Sequence, residues 1–182
     1  MIISYAWTTE ALLAERKKVT RRDWSREYAA RFHAGTVHDA YDRLPRVHGK
    51  KIGDVRIERV PYPERACDIP DEDYELEGFA YMEEKGILIR GWTPREFFTR
   101  LRFTRDVLFV VRFDLVFKCD RCGTWTTSAP FGPKYNKRLC PLCWSDWSYY
   151  YGDRSFDCPS DWESRYDAFC ATERKGAFFV NE

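Results

Sequence analysis

The stretch Val107-Leu-Phe-Val-Val-Arg-Phe-Asp-Leu-Val-Phe117 decides the fold reading. A continuous apolar run rich in β-branched and aromatic residues, bounded by charge at Asp106 and Lys118, predicts a strand buried at the centre of a sheet. Arg112 breaks the run far short of the ~20 apolar residues that a membrane span needs. Before it, Lys51-Ile-Gly-Asp-Val-Arg-Ile-Glu-Arg-Val60 alternates, with Ile52, Val55, Ile57 and Val60 apolar and Gly53 marking a bulge. Thr36–Tyr41 is a weaker strand. After Phe117 the composition turns to Cys, Trp, Tyr, Gly and Pro, and long helical patterns end. This change sets a boundary between residues 1–116 and 117–182.

Helices are predicted over Thr8–Lys17, with Thr8 and Thr9 as caps, and over Ser25–Phe32, ending at Gly35. An acidic helix is expected from Asp71 to Glu84, interrupted by Gly78, and another from Thr93-Pro94, with Thr as cap and Pro in the first turn. This order of elements implies α+β with a small closed or half-closed barrel rather than a doubly wound sheet.

The 182 residues are 44% hydrophobic and 32% charged, which fits a soluble globular chain and argues against disorder. MIISYAWTTE has no basic n-region and meets Glu10 too early for a secretory signal, so a cytoplasmic protein is expected, with no membrane partner. The net charge of +1 conceals polarity along the chain. Arg16 to Arg26 holds six bases and one acid, Asp23, whereas Asp68 to Glu84 holds eight acids and no base. Either the basic stretch grips phosphate or the two segments face each other.

Four of the seven cysteines form two close pairs, Cys119-x-x-Cys122 and Cys140-x-x-Cys143, separated by 17 residues. Cys67, Cys158 and Cys170 are single. This spacing predicts a zinc-ribbon-like site with four thiolates around a structural zinc. Gly123 permits a left-handed turn and Pro141 stiffens the second knuckle. A closed four-sulfur site leaves no position for a catalytic water. Lys134, Lys137 and Arg138 around Tyr135 can contact nucleic acid; alternatively Trp125, Phe131 and Tyr135 simply cover a metal site too small to have a core. The aromatic tail after Trp144 is expected to pack on the main domain, and Cys158 and Cys170 to be buried thiols.

Glu15-Arg-Lys-Lys-Val-Thr-Arg-Arg-Asp-Trp24 follows the first predicted helix, and Glu77-Gly78-Phe79 lies in the acidic segment. With Phe32–Tyr41 and Gly49–Val60, these motifs resemble the ASCH domain family, a PUA-like fold, over roughly residues 1–116. Two departures stand out: Glu15 replaces a usual glycine, and Gly35-Thr36 replaces a usual Gly-Asp. The Cys-rich extension lies outside the family pattern. The resemblance implies a small β-barrel with flanking helices and a cleft beside the first helix, used on RNA, nucleotides or modified nucleosides.

One branch of that family hydrolyses the acetyl amide of acetylcytidine with a lysine, a threonine and a glutamate, matched here by Lys17, Thr20 and Glu77. In such a site Lys17 acts as base if its pKa falls, Thr20 as nucleophile and Glu77 as proton shuttle, with Glu75 the competing glutamate. Lys18, Arg21, Arg22 and Trp24 are the candidate substrate-binding residues, the arginines for an oxyanion or phosphate and Trp24 for stacking. Recognition of RNA, a single strand or a modified nucleoside is the leading expectation. Acyl-cytidine hydrolysis is the second, and an adaptor docking a protein partner through the ribbon is the third. No phosphate-cradling glycine loop, nucleophile elbow or dinucleotide fingerprint is present, which disfavours ATPases and nicotinamide enzymes. His33, His38 and His48 lack the spacing of a second metal site.

Overall fold

The computed structural model describes residues 1–127, 131–132 and 137–145. It divides into two units, Met1–Leu115 and Val116–Glu182.

The first unit opens with β1 (Ile2–Ser4), a 3-10 turn at Ala6–Thr8 and α1 (Thr9–Leu13). The helix stops well short of the expected Lys17. Glu15 takes a left-handed φ of 59°, and the Arg16 and Lys17 amides both donate to Ala11 O, at 3.0 and 3.1 Å. Positive φ is a conformation that glycine adopts most readily, and here a glutamate holds it. Thr8 turns back to donate to Tyr5 O (2.7 Å) instead of capping α1. Next come β2 (Val19–Arg22) and the short α2 (Arg26–Ala29), capped by Ser25 accepting from the Tyr28 amide (3.2 Å). β3 (Val37–Tyr41) pairs antiparallel with β4 (Lys51–Ile57). Their register slips between Ala40, opposite Gly53, and Tyr41, opposite Lys51, so the extra residue is Ile52, one position before the glycine where the sequence places a bulge. Val60 falls outside β4 and is exposed.

β5 (Tyr62–Arg65) leads into the acidic segment. This segment forms two helices rather than one, α3 (Asp73–Leu76) and α4 (Phe79–Glu84), because Gly78 between them adopts a φ of 85°. A Cβ at Gly78 would lie 2.6 Å from the Ala11 Cβ and 3.5 Å from the Lys17 Cβ. Gly78→Ala is therefore expected to cost about 2–4 kcal/mol, left-handed strain and overpacking together, read as a lower urea midpoint at constant slope. α5 (Pro94–Arg102) carries a full capping box between Thr93 and Glu96. Its Phe98 joins Ala66, Ile69, Tyr74, Phe79, Met82 and Ile89 in a core cluster.

β6 (Val107–Lys118) is the central strand, with Val110 and Val111 both fully buried. The sheet is mixed. Its path runs β1-β3-β4-β6-β2, with β1 parallel to β3 and β5 pairing with β6 as a branch. The sequence predicts a small closed or half-closed barrel, but the sheet is open: among the described residues no ladder joins the end strands β1 and β2. At three and four residues, they are too short to complete the tilt and stagger of closure. A side chain spans the seam instead, the Arg22 guanidinium donating to Ser4 O.

In the second unit, β7 (Trp125–Thr126) pairs with Phe117–Lys118, and β8 (Phe131–Gly132) pairs with β9 (Lys137–Arg138). Cys119, Leu139, Cys140, Cys143 and Trp144 form its small cluster. Lys134, Tyr135, Cys158, Cys170, the tail and the side chains of Phe131 and Lys137 lie outside the described residues. No helix among the described residues is long and apolar enough to cross a membrane.

Candidate functional site

The two oppositely charged segments do face each other, and a cleft lies along their junction. Arg16 bonds Glu75, which places that glutamate outside the Lys17 cluster, and donates to both oxygens of Glu84 at 2.9 Å. Beneath that exposed pairing, Lys17 is 2% exposed. Its ammonium donates to the carbonyl and to the Oε2 of Glu77, each at 2.7 Å. Both acceptors reach it because Gly78 bends the chain at that point. Each residue of the Glu-Gly-Phe motif thus contributes separately, as Glu77 holds Lys17, Gly78 makes the turn and Phe79 lines the cleft.

Arg21 binds three carboxylates: Glu77 Oε1 at 3.0 Å, Asp73 Oδ2 at 2.5 Å and Glu64 Oε2 at 2.5 Å. Asp73 is fully buried and also receives Arg112 at 3.1 Å to each oxygen. Buried charges persist only when paired and hydrogen-bonded in this way. Arg22 is different, because among the described residues no carboxylate lies within ion-pairing distance of it. Its partners are Ser4 O, Arg21 O (3.3 Å) and the ring of Tyr5, 6.0 Å away.

The cleft measures about 250 Å³. Lys17, Thr20, Arg21, Arg22 and Glu77 give it polar lining; Tyr5, Trp7, Phe79, Phe97, Leu101 and Leu108 give it apolar lining. Trp7 is 42% exposed, stacked on Phe79 (6.1 Å, 21°) and edge-on to Phe97. Burial pushes Lys17 below its ordinary range; Glu77 opposes this, and Arg22 and Arg21 add to the lowering. Burial raises the Tyr5 phenol far above its usual value, and its hydroxyl has no hydrogen-bond partner among the described residues.

Five of the expected cleft residues therefore come together. Lys18 and Trp24 do not line this cavity. Lys18 pairs with Asp114 at 2.6 Å, and Trp24 stacks on Phe32 (4.6 Å, 11°), edge-on to Tyr28. Trp24 lines an adjoining hollow of about 420 Å³ with Ile3, Tyr28 and Leu44, and this hollow shares Ser4 and Arg22 with the cleft. Trp7, Tyr5, Glu64 and Asp73 went unnoticed in the sequence. An aromatic pair directly before the first helix is the available signal for Trp7 and Tyr5. Asp73 had none, since it lies in a run of acids.

Cys119, Cys122, Cys140 and Cys143 place their sulfurs within 4.8 Å of one another, a distance suited to holding one metal ion. Gly123, at φ 77°, turns the first knuckle so that its amide donates to Cys119 O (2.9 Å), and the Trp144 amide does the same to Cys140 O (2.9 Å). Cys122 and Cys140 lie 3.7 Å apart, far beyond a disulfide's ~2.05 Å. A tetrahedral ion with bonds of ~2.3 Å to sulfur requires edges near ~3.8 Å, so the set fits. Burial pushes Cys140 up to about 11. At Cys122 burial is the largest cause and acts in the same direction, but hydrogen bonds with Thr124, Cys119 and Cys143 together outweigh it and leave that thiol at about 7.

The chain thus combines an α+β unit holding a mixed-charge cleft with a second unit holding a four-cysteine cluster. No protein-family model matches it. No curated protein matches it either. Among solved structures it is similar to protein EF3133 from Enterococcus faecalis V583, described with the family model DUF984. Identity is 16%, coverage is 62% of this chain and 73% of that one, and the TM-score is 0.39.

Proposed function

We propose that the first unit is an ASCH-type, PUA-like domain opened along one seam, and that its cleft recognises a modified nucleoside, free or within a nucleic acid strand. The observation that carries this reading is the division of the cleft between aromatic residues at Tyr5, Trp7, Phe79 and Phe97 and donors at Lys17, Arg21 and Arg22. A planar base stacks on rings while its polar edge meets charged donors. Its volume of about 250 Å³ suits one base better than a folded nucleic acid. Titrating acetylcytidine and cytidine while following tryptophan fluorescence tests this directly. Saturable quenching is expected, and it should weaken at least about tenfold in Trp7→Ala. A chain indifferent to every nucleoside offered would defeat the reading.

A second reading, hydrolysis of an acylated cytosine amide, is supported by Lys17, Thr20 and Glu77 lining the same cleft with the Lys17 ammonium destabilised by burial. Neutral Lys17 takes the Thr20 proton as the hydroxyl attacks the amide carbon. Glu77 relays the proton from Lys17 to the departing amine as the C–N bond breaks, and Arg22 faces the developing oxyanion. The acetyl group is left as an ester on Thr20; water, deprotonated by Lys17, then hydrolyses that ester, releasing acetate and restoring the Thr20 hydroxyl. Mass spectrometry of acetylcytidine incubated with the protein should show cytidine appearing. Thr20→Ala should slow this about a hundredfold or more while leaving the metal content unchanged. Equal turnover in that variant would remove Thr20 from the mechanism.

In the second unit we assign zinc to the four cysteines, since a closed thiolate tetrahedron is its usual structural setting. Such an ion would hold the two knuckles together and supply no chemistry to the cleft. Docking of a protein partner on this unit is an alternative role for it, and a compartment free of disulfide chemistry, such as the cytoplasm, suits free thiols.

A further inference from the structure

Arg22 stands between two cavities. The cleft and the hollow beside it share Arg22 and Ser4, and the guanidinium-to-carbonyl bond that spans the β1/β2 seam is also the partition separating them. The hollow is lined by aromatic side chains of its own. One face of the Trp24 indole lies against Phe32, which is fully buried, and the edge of Tyr28 braces it 5.0 Å away. Trp24 is thereby fixed in orientation while remaining half-exposed on the hollow. Leu44 and Ile2 complete an apolar lining, and Asp23 sits exposed among the residues around it.

Two compartments with aromatic lining, joined at a cation that has no ion-pairing carboxylate among the described residues and feels Glu77 only from beyond that distance, form a pattern with one ready chemical match. Successive bases of a nucleic acid strand are planar and are linked by one negative charge. We propose that the Trp24–Tyr28 hollow is a second ring-binding subsite for the nucleotide next to the one in the cleft, with the connecting phosphodiester at Arg22. The ligand is then a single strand of at least two nucleotides rather than a free nucleoside. This rests on the reading of the cleft as a base pocket. It adds a claim about Trp24, Tyr28 and Arg22 that the cleft alone does not make.

The test compares ligands of increasing length on the intact chain by isothermal titration. The probes are acetylcytidine and the two dinucleotides that carry a cytidine on its 5′ or 3′ side, with mass spectrometry afterwards to verify intact ligand. One dinucleotide should bind about tenfold tighter than the nucleoside, with the gain falling as salt rises, because one phosphate contact is added. Trp24→Ala should erase that gain and leave nucleoside affinity unchanged. Trp24→Phe, which keeps the packing on Phe32, should retain most of it. Equal affinity for nucleoside and both dinucleotides overturns the subsite while leaving the cleft reading intact. A Trp24→Ala loss shared equally by nucleoside and dinucleotide also overturns it. Failure of all three probes to bind removes the cleft reading and the subsite with it.

Discussion

Cys140→Ala is expected to strip the metal from the second unit and release the two knuckles, around Cys119–Gly123 and Cys140–Trp144, from their folded state. The reason is the size of the cluster among the described residues: Cys119, Leu139, Cys140, Cys143 and Trp144 alone bury little apolar area to offset the cost of ordering the knuckles. Structural zinc sites of this type supply about 10–16 kcal/mol of apparent binding free energy at neutral pH, which is then folding free energy. Removing one of four thiolates forfeits much of that. The wild-type chain should carry one metal ion per molecule by native mass spectrometry, and chelation should accelerate amide exchange at Cys119, Gly123 and Trp144. A chain that purifies without metal from zinc-replete medium, and whose exchange ignores chelators, would sink the assignment.

Glu77→Ala should lower stability by about 3–5 kcal/mol, because it leaves the Lys17 ammonium buried without its carboxylate and strips Arg21 of one of three. For a chain of this length that corresponds to a fall of roughly 6–20 °C in Tm. The informative comparison is Lys17→Met with Glu77→Gln, where the glutamine oxygen still accepts from Arg21 and no cation is stranded. That double variant should recover most of the loss, since a buried ion pair is usually no better than apolar packing of similar volume. It should also be unable to bind or turn over acetylcytidine. A double variant as unstable as Glu77→Ala would show that the pair serves the fold; stability with lost function would show that it serves the cleft.

The elements that could be read from the chain were those whose signal is local. Thr93-Pro94 with Glu96 announces a helix start in four residues, the Val107–Phe117 run has no use except as a buried strand, and paired cysteines need only two turns to converge. What escaped was set by tertiary contact. The first helix ends early because Glu15 turns left-handed beneath Ala11, and a glutamate gives no warning of that. Asp71–Glu84 breaks at Gly78 because the chain must approach Ala11 and Lys17 closely there. Barrel or open sheet depends on whether β1 meets β2, a matter of strand length and tilt that periodicity does not carry. In the cleft, Lys17, Thr20 and Glu77 were marked by motif, whereas Asp73 is one acid in a run of acids until Arg21 and Arg112 converge on it.

A ladder of backbone hydrogen bonds would make the boundary between β1 and β2 indifferent to sequence. Here that boundary is one side chain thick, so a single codon governs the floor plan of the molecule. With arginine at position 22 there are two rooms. With alanine there the side chain that both linings share is lost, and the two rooms are expected to run together. The shape of the space between these two strands can therefore change without any change to the backbone.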